Sequence, residues 1–238
     1  MKIEYSDHYD ETYWTQQKEY RTSDGKSHRY TGPSLTWDGF ETIAKLLDPL
    51  LPEGDLLDIG CSAGQLASLL SISRVPYGID ISEHAVKNCV PSMKGRVELA
   101  DVTTCPDLPR FPKRFNVVMS TDVMEHIYRD QIDTTFEWMK SRLHDNGYMF
   151  FLIAVASHRG EVFIHERGKE VPLEREAQAV SGHISVDLPA YWIRFFRSHG
   201  MNIRYDLMWK FQAERDHVEW LRNMPQWGGF CTYFLQKS

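Results

Sequence analysis

The deciding stretch of this sequence is Asp55-Leu56-Leu57-Asp58-Ile59-Gly60-Cys61-Ser62-Ala63-Gly64-Gln65-Leu66. The apolar run 56–59 predicts a strand that is buried on both faces, as in a parallel sheet. Gly60 and Gly64 allow a sharp turn and let a ligand approach the backbone. Residues 65–71 predict a helix whose first amides point over that turn. The stretch therefore indicates a strand, a ligand-binding loop and a helix.

The spacing of the glycines narrows the class of ligand. Gly60 and Gly64 are separated by three residues, so the loop has neither the G-x-G-x-x-G pattern of dinucleotide sites nor the lysine of a triphosphate loop. A second predicted strand begins at Val75 and ends at Asp80. An acidic residue at that position can bind ribose hydroxyls. The ligand is thus expected to contain a ribose.

Four segments in this order resemble class I S-adenosylmethionine-dependent methyltransferases. The first motif of that family resembles 58–64, and its ribose-binding acid resembles Asp80. Its third strand, with an acid that contacts adenine, is similar to 97–102. Its fourth strand, with an Asp-x-x-Glu-His tail, is similar to 115–127. The resemblance covers about residues 50–155 and is closest to the small-molecule and sugar methyltransferases of types 11, 12 and 23.

The resemblance implies both a fold and a cofactor. The fold would be α/β and Rossmann-like: a seven-stranded, mostly parallel sheet with helices on both faces and an antiparallel last strand. The cofactor would be S-adenosylmethionine, leaving as S-adenosylhomocysteine, with its methionine end on Asp58 and Gly60, its ribose on Asp80 and its adenine on Asp101. The full set of implied cofactor-binding residues is Asp58, Gly60, Cys61, Ser62, Gly64, Asp80, Ile81, Asp101, Val102 and Ser120.

Apolar spacing and turn residues predict the other elements. Ser34 caps a helix that prolines at 49 and 52 end. Asp145-Asn146-Gly147 predicts a turn before the fifth strand. The elements expected after the second strand are a helix at 83–88, a strand at 97–100, a strand at 115–120, a helix at 131–143, a strand at 148–154, a helix at 188–199, a strand at 201–209, a helix at 213–223 and a last strand at 229–235.

Two segments lie outside this pattern. Residues 1–33 are polar and aromatic, and Tyr9, Tyr13 and Trp14 predict a short helix near 10–20. By resemblance the segment covers the cofactor, although a helix held on the core by its aromatic residues explains the spacing equally well. Residues 155–187 are longer than a simple connection requires and predict an active-site lid, or else a solvated loop. The methyltransferase domain would then extend over 34–238.

Two histidines are the predicted catalytic residues. His126 follows the fourth strand, and His183 precedes an aromatic helix, where small-molecule and sugar methyltransferases have a similar histidine. An oxygen acceptor needs a base, and an imidazole of pKa near 6.5 suits that role at neutral pH. His126 could instead bind loop backbone, and either histidine could be structural. No spacing in the sequence predicts a metal site.

Composition restricts the class of partner. A formal net charge of −6 makes a nucleic-acid substrate improbable for a domain of this size. The motifs of amino-directed nucleic-acid enzymes and of cytosine-C5 enzymes, Asn-Pro-Pro-Tyr and Pro-Cys, are also lacking. No apolar run reaches the length of a membrane span, and the four cysteines form no C-x-x-C pair, so we expect a cytoplasmic protein with free thiols.

These observations predict an S-adenosylmethionine-dependent methyltransferase. The acceptor would be a hydroxyl or amine of a small molecule, with a sugar or glycan precursor favoured. Two alternatives stay open at this point. The acceptor could be a protein or nucleic acid, or the domain could bind the cofactor without catalysis and act as a scaffold. The sequence leaves the oligomeric state open.

Overall fold

The structure, a computed structural model, describes residues 8–15, 17–29, 39–180, 182–216 and 230–238. Its strands, in chain order, are β1 (Glu19–Arg21), β2 (Ser27–Arg29), β3 (Gly54–Ile59), β4 (Arg74–Asp80), β5 (Val97–Leu99), β6 (Phe115–Thr121), β7 (Leu143–Ala154), β8 (Phe163–Ile164), β9 (Ser185–Val186), β10 (Met201–Ile203) and β11 (Phe230–Lys237). Its helices are α1 (Glu11–Trp14), α2 (Gly39–Leu47), α3 (Gln65–Leu69), α4 (Glu83–Lys87), α5 (Arg129–Ser141), α6 (Leu173–Val180), α7 (Pro189–Ser198) and α8 (Tyr205–Asp216).

Seven strands form one sheet in the order β10-β11-β7-β6-β3-β4-β5. The five strands from β3 to β7 are parallel. The last strand, β11, is antiparallel to both of its neighbours, β7 and β10. The predicted Rossmann-like fold is therefore confirmed. The chain reverses its direction across the sheet between β3 and β6, which places the expected ligand crevice beyond the carboxyl ends of these strands.

Helices cover both faces of the sheet because successive residues of the central strands alternate between two apolar layers. Leu57 and Leu56 of β3 are both fully buried, but they belong to different layers. Helices α5 and α7 pack on the first layer, and α2, α3 and α8 pack on the second. The first layer is dominated by aromatic side chains, among them Phe136, Phe151, Trp192, Phe195, Phe196 and Tyr233.

The predicted sixth strand at 201–209 is wrong in its second half. Strand β10 ends at Ile203, and α8 begins at Tyr205, eight residues before the helix expected at 213–223. Leu207 and Phe211 are buried four residues apart, which is the spacing of a helix face rather than of a strand. The rest of that predicted helix, at 217–223, lies outside the described residues, as do the cap at Ser34 and the first residue of the predicted strand at 229–235.

Two further local predictions are corrected. Residues 145–147 do not separate two elements, because β7 runs through them from Leu143 to Ala154 with a shift of register opposite residues 115–117 of β6. The helix expected near 10–20 is only the four residues of α1. Asp10 caps it, and the chain then enters the β1–β2 hairpin, whose turn contains the strong turn former Gly25.

Residues 155–187, hereafter the insert, contain the β8–β9 pair and helix α6. Five buried residues of the insert form a small apolar cluster with Tyr128, which directly precedes α5: Ala156, Phe163, Ala179, Ile184 and Val186. The insert also contacts the N-terminal hairpin, since the backbone N–H and hydroxyl of Ser23 donate to the Glu176 carboxylate at 2.9 and 2.7 Å. None of the described helices is long and apolar enough to cross a membrane.

The aromatic layer gives a test of the packing. Phe136→Ala should destabilise the protein by about 3–5 kcal/mol, because it leaves a cavity among the rings of Phe151, Phe195 and Phe196. Ile72→Ala is the control, since Ile72 is 91% exposed, and should change stability by less than about 0.5 kcal/mol. Urea unfolding of both variants measures the difference. Equal stabilities would contradict the packing described.

Candidate active site

The loop between β3 and α3 is fixed to the neighbouring strand by its backbone. The N–H groups of Gly60 and Cys61 both donate to the carbonyl of Ile79 in β4, at 2.9 and 3.0 Å. Gly60 has a φ of +72°, and a Cβ there would lie 2.3 Å from a methyl carbon of Val123. The backbone conformation and Val123 therefore both require glycine at position 60, and the ligand approach expected from the sequence stays a prediction.

Asp80 lies at the end of β4 and joins two loops. Its two carboxylate oxygens accept hydrogen bonds from the backbone N–H of Ser62 at 2.7 Å and of Ser82 at 2.8 Å. Burial raises the pKa of Asp80 to about 6, although these amides act in the opposite direction. Asp80 is thus a buried carboxylate at neutral pH, set between the glycine loop and the loop that precedes α4.

Asp58, one strand away, is also buried. Burial, together with the charge of Asp80, raises its pKa well above the ordinary value. Three of the predicted cofactor residues have a buried oxygen with no hydrogen-bond partner in the described part of the chain: Oδ1 of Asp58, Oγ of Ser62 and Oγ of Ser120. Because buried polar atoms without partners are costly, these atoms fit a site that a polar ligand completes.

Other predicted cofactor residues lie at the same sheet edge in different surroundings. Asp101, half-buried at the end of β5, accepts the N–H and hydroxyl of Thr103 at 2.8 and 2.7 Å through one oxygen. Ile81, which follows Asp80 in the sequence, and Val102, which follows Asp101, are both half-buried. Cys61 packs on β4, where a Cβ on Gly78 would be 2.5 Å from its sulfur. Burial and the neighbouring carboxylates raise the pKa of the Cys61 thiol, so it stays protonated.

The two predicted catalytic histidines lie together. His126 ends a short 3₁₀ turn after β6, and its ring centroid is 4.8 Å from that of His183, edge to face. Nδ1 of His126 donates to the carbonyl of Gly182 at 2.8 Å. Removal from solvent lowers the pKa of both imidazoles below the ordinary value. Both rings are therefore neutral at pH 7, and the backbone contact predicted as an alternative role for His126 is present.

Gly182 and Ser82 belong to this site although the sequence did not identify them. Gly182 has a φ of +105°, and a Cβ there would be 2.8 Å from Nδ1 of His126 and 3.2 Å from the hydroxyl of Tyr9. Ser82 donates its hydroxyl to the carbonyl of Tyr9 at 2.5 Å and accepts from the indole N–H of Trp14 at 2.8 Å. The one sequence signal for Ser82 was its place two residues after Asp80.

The fold thus brings an N-terminal segment, a glycine loop and the insert to one edge of the sheet. A sequence profile of the methyltransferase domain family Methyltransf_23 matches residues 8–205, which is most of the chain. This chain belongs to that methyltransferase family. No curated protein sequence matches the methyltransferase.

Solved structures agree on the fold. An O-methyltransferase from the trans-AT PKS multienzyme of Brevibacillus brevis, in complex with S-adenosyl-L-homocysteine, is 16% identical over 83% of this chain and 72% of its own, with a TM-score of 0.54. The N-methyltransferase NodS from Bradyrhizobium japonicum is 12% identical over 83% and 85%, with a TM-score of 0.54. The 4+2 cyclase SpnF is 16% identical over 83% and 81%, with a TM-score of 0.56. Such identities establish the fold alone, and a cyclase among the similar structures shows that the fold does not determine the reaction.

S-adenosylmethionine is the cofactor of this methyltransferase. The residues at the sheet edge fit it: buried carboxyl groups for its ammonium group and hydroxyls, and unpartnered oxygens at Asp58, Ser62 and Ser120. The assignment of individual residues to parts of the cofactor stays a prediction. The sequence predicted no metal site. The fold nevertheless brings together one potential ligand atom each from Glu125, His126 and His183, all within 4.8 Å of one another.

The pKa of Asp80 predicts how cofactor affinity depends on pH. Above pH 6 the carboxylate is ionised and can accept ribose hydroxyls, whereas below pH 6 it is protonated and loses acceptor capacity. Affinity for S-adenosylhomocysteine should therefore fall about tenfold for each pH unit below 6. Asp80→Asn should cost about 1–3 kcal/mol of affinity at pH 7 and remove this step of the pH dependence.

Calorimetric titration between pH 5 and 8 measures both effects. Asp55→Asn is the matched control, because Asp55 lies at the opposite end of β3. Circular dichroism of each variant checks that the loops still fold. An unchanged pH dependence in Asp80→Asn would show that another group causes it.

Proposed function

We propose that this methyltransferase transfers the methyl group of S-adenosylmethionine to a hydroxyl or amine of a small molecule, with a sugar or glycan precursor favoured. The observation that carries the proposal is the pair of neutral imidazoles, His126 and His183, beyond the carboxyl end of β6. That position is next to the glycine loop, since Val123 of the same connection contacts Gly60. An acceptor beside the histidines would therefore be close to the cofactor.

The surroundings of the pair support a small acceptor. The ring of Tyr9 lies edge to face with that of His126, with the centroids 5.9 Å apart. His8 and Tyr13 pack against Tyr9 edge to face, and Tyr20 stacks on His8 at 5.2 Å. The backbone of Gly182 lies against the same group, since a Cβ there would be 2.8–3.2 Å from polar atoms of His126, His8 and Tyr9. Of the three tyrosines only Tyr9 is half-buried rather than buried, and its ring suits packing against a ring-shaped acceptor such as a sugar. The formal charge of −6 gives no support to a nucleic-acid acceptor.

The chemistry requires little of the protein beyond position. The bound cofactor supplies an activated methyl group on a sulfonium. The chain must hold the acceptor atom in line with that group and provide for the acceptor's proton. A neutral imidazole can accept a hydrogen bond from a hydroxyl, and we therefore propose both histidines as catalytic residues. The specific general-base role of His183 stays a prediction.

Substitution of His183 tests its place on the acceptor side. His183→Asn should lower the rate of methyl transfer by about 10²–10⁴-fold while leaving cofactor affinity near that of the wild type. The measurement uses methyl-labelled S-adenosylmethionine with panels of sugars, phenols and amines. His158→Asn, an exposed histidine of the same insert, is the control and should be active. Label found only in protein or nucleic acid would contradict the proposed acceptor class, and full activity of His183→Asn would place the acceptor elsewhere.

We also propose that 1–33 covers the cofactor and that the insert closes over the acceptor as a lid. The described contacts that support this are those of Ser82 with Tyr9 and Trp14 and those of Ser23 with Glu176. They link the two segments to each other and to the loop after Asp80. Residues 1–7, 16 and 30–33 of the proposed cover lie outside the described residues.

Hydrogen exchange tests the two covers. S-adenosylhomocysteine should slow amide exchange in 8–29, and an acceptor added with it should slow exchange in 155–187. Strand β7 is the internal control, because its central amides are protected with or without ligand. Unchanged exchange in both segments would identify them as ordinary surface structure.

A further inference from the structure

Glu125, His126 and His183 form a cluster of potential metal ligands. Each offers one ligand atom, and the three atoms lie within 4.8 Å of one another. Glu125 and His126 come from the turn after β6, and His183 comes from the insert. The cluster is a product of the fold, since no short spacing in the sequence unites the three.

The carboxyl group of Glu125 has no counter-charge among the described residues. The residue is fully buried, and one oxygen, Oε1, accepts the backbone N–H of Ala154 at 2.9 Å. The other oxygen, Oε2, has no hydrogen-bond partner among the described residues. Within the described ranges no lysine or arginine forms an ion pair with Glu125 or with the nearby Asp122. In such surroundings the ionised form of the carboxyl group is costly unless a cation accompanies it, and burial and Asp122 raise the pKa of Glu125.

The hydrogen bond of His126 leaves one ring nitrogen available. A carbonyl oxygen only accepts, so Nδ1 of His126, 2.8 Å from the Gly182 carbonyl, must carry the proton. Nε2 then holds the lone pair. Histidines that bind metals are commonly oriented in this way, by donation from the other ring nitrogen to a carbonyl or carboxylate.

Backbone contacts hold the two parts of the cluster together. The N–H of Ile184 donates to the carbonyl of Glu125 at 3.0 Å, one residue beyond His183. With the His126–Gly182 bond, this makes two hydrogen bonds between the turn and the insert on either side of His183. The three ligand groups are thus positioned by backbone rather than by flexible side chains alone.

We propose that Glu125, His126 and His183 bind one divalent transition-metal ion, zinc in the first instance, and that an open position on this ion receives a hydroxyl of the acceptor. Two imidazole nitrogens and one glutamate oxygen form a known ligand set of catalytic zinc, whereas magnesium and calcium prefer oxygen ligands. Ligand atoms about 2.1 Å from a tetrahedral ion lie about 3.4 Å apart. Since the three atoms lie within 4.8 Å of one another, the side chains have to approach by up to about 1.4 Å on binding.

The second half of this inference rests on the proposed function and makes it more specific. A hydroxyl that binds a divalent cation loses its proton more readily than a free hydroxyl. An ion at this place would therefore favour oxygen acceptors over amines. The three side chains would act on the acceptor through the ion, and the proton would pass to water.

Cobalt titration of the full-length protein tests the ion site. Protein freed of metal with a chelator should bind one equivalent of Co²⁺ with visible absorption bands, and Zn²⁺ should displace it. Glu125→Gln and His183→Ala should each weaken binding by at least about tenfold. His158→Ala, in the same insert and exposed, should bind as the wild type does. The two variants change different elements, so one remains informative if the other fails to fold.

Separate readouts distinguish the two halves. No Co²⁺ binding by the wild type, or equal binding by both variants, would overturn the ion site. Equal rates of hydroxyl methylation by metal-free and Zn²⁺-loaded protein would overturn the role of the ion toward the acceptor. Calorimetry with S-adenosylhomocysteine, which needs no ion, reports the cofactor site independently. Transfer to no small molecule would contradict the proposed function while leaving the Co²⁺ result as support for the site.

Discussion

The buried carboxylate of Asp80 is the interaction on which the functional edge of the sheet depends. It accepts the amide of Ser62 on one side and that of Ser82 on the other, so two loops from different strands share one charge. Ser82 in turn caps α4 through Ala85 and binds the backbone of Tyr9. The glycine loop, helix α4 and the N-terminal segment are therefore positioned by a short series of bonds that begins at one side chain.

The charge of Asp80 also makes it more costly to ionise a second buried acid beside the glycine loop. Asp58 is buried one strand away and feels the charge of Asp80, which adds to the cost of ionising it. Two acids in such proximity are stable when a ligand supplies donors or positive charge. The cofactor has an ammonium group and hydroxyls, which is why a carboxyl-rich, sparsely hydrogen-bonded crevice suits it.

The sequence predicted the strands and loops of this part of the sheet because its signals are local. Strand ends are predicted directly by the apolar run 56–59, by Gly60 and by Asp80. The order of the parallel strands follows from the alternation of strands and helices along the chain. Predictions were wrong where a local pattern had two solutions. Residues 205–209 are apolar enough for a strand, but burial of Leu207 and Phe211 against β11 and α2 selected a helix. In the helix predicted near 10–20, pairing with β2 places the last residues in strand β1 instead.

The pair of histidines was predicted only as separate residues. His126 and His183 were each selected, yet their contact depends on Gly182 and on the hydrogen bond from Ile184 to Glu125, which join segments far apart in sequence. No periodicity of apolar residues in the sequence predicts such a contact. The sequence does not predict the hydrogen bonds of Ser82 with Tyr9 and Trp14 either. A serine directly before a helix is expected to cap it, which Ser82 also does.

Trp14 gives this architecture an optical consequence. Its half-buried indole donates to Ser82, whose N–H is bound to Asp80, so the polarity around the indole depends on the state of the cofactor loop. The buried Trp138 and Trp192 lie in the aromatic layer on one face of the sheet, away from that loop. Among these three tryptophans, Trp14 is therefore the one whose emission is expected to shift on ligand binding. The protein carries its own fluorophore at the junction between its N-terminal segment and its cofactor crevice.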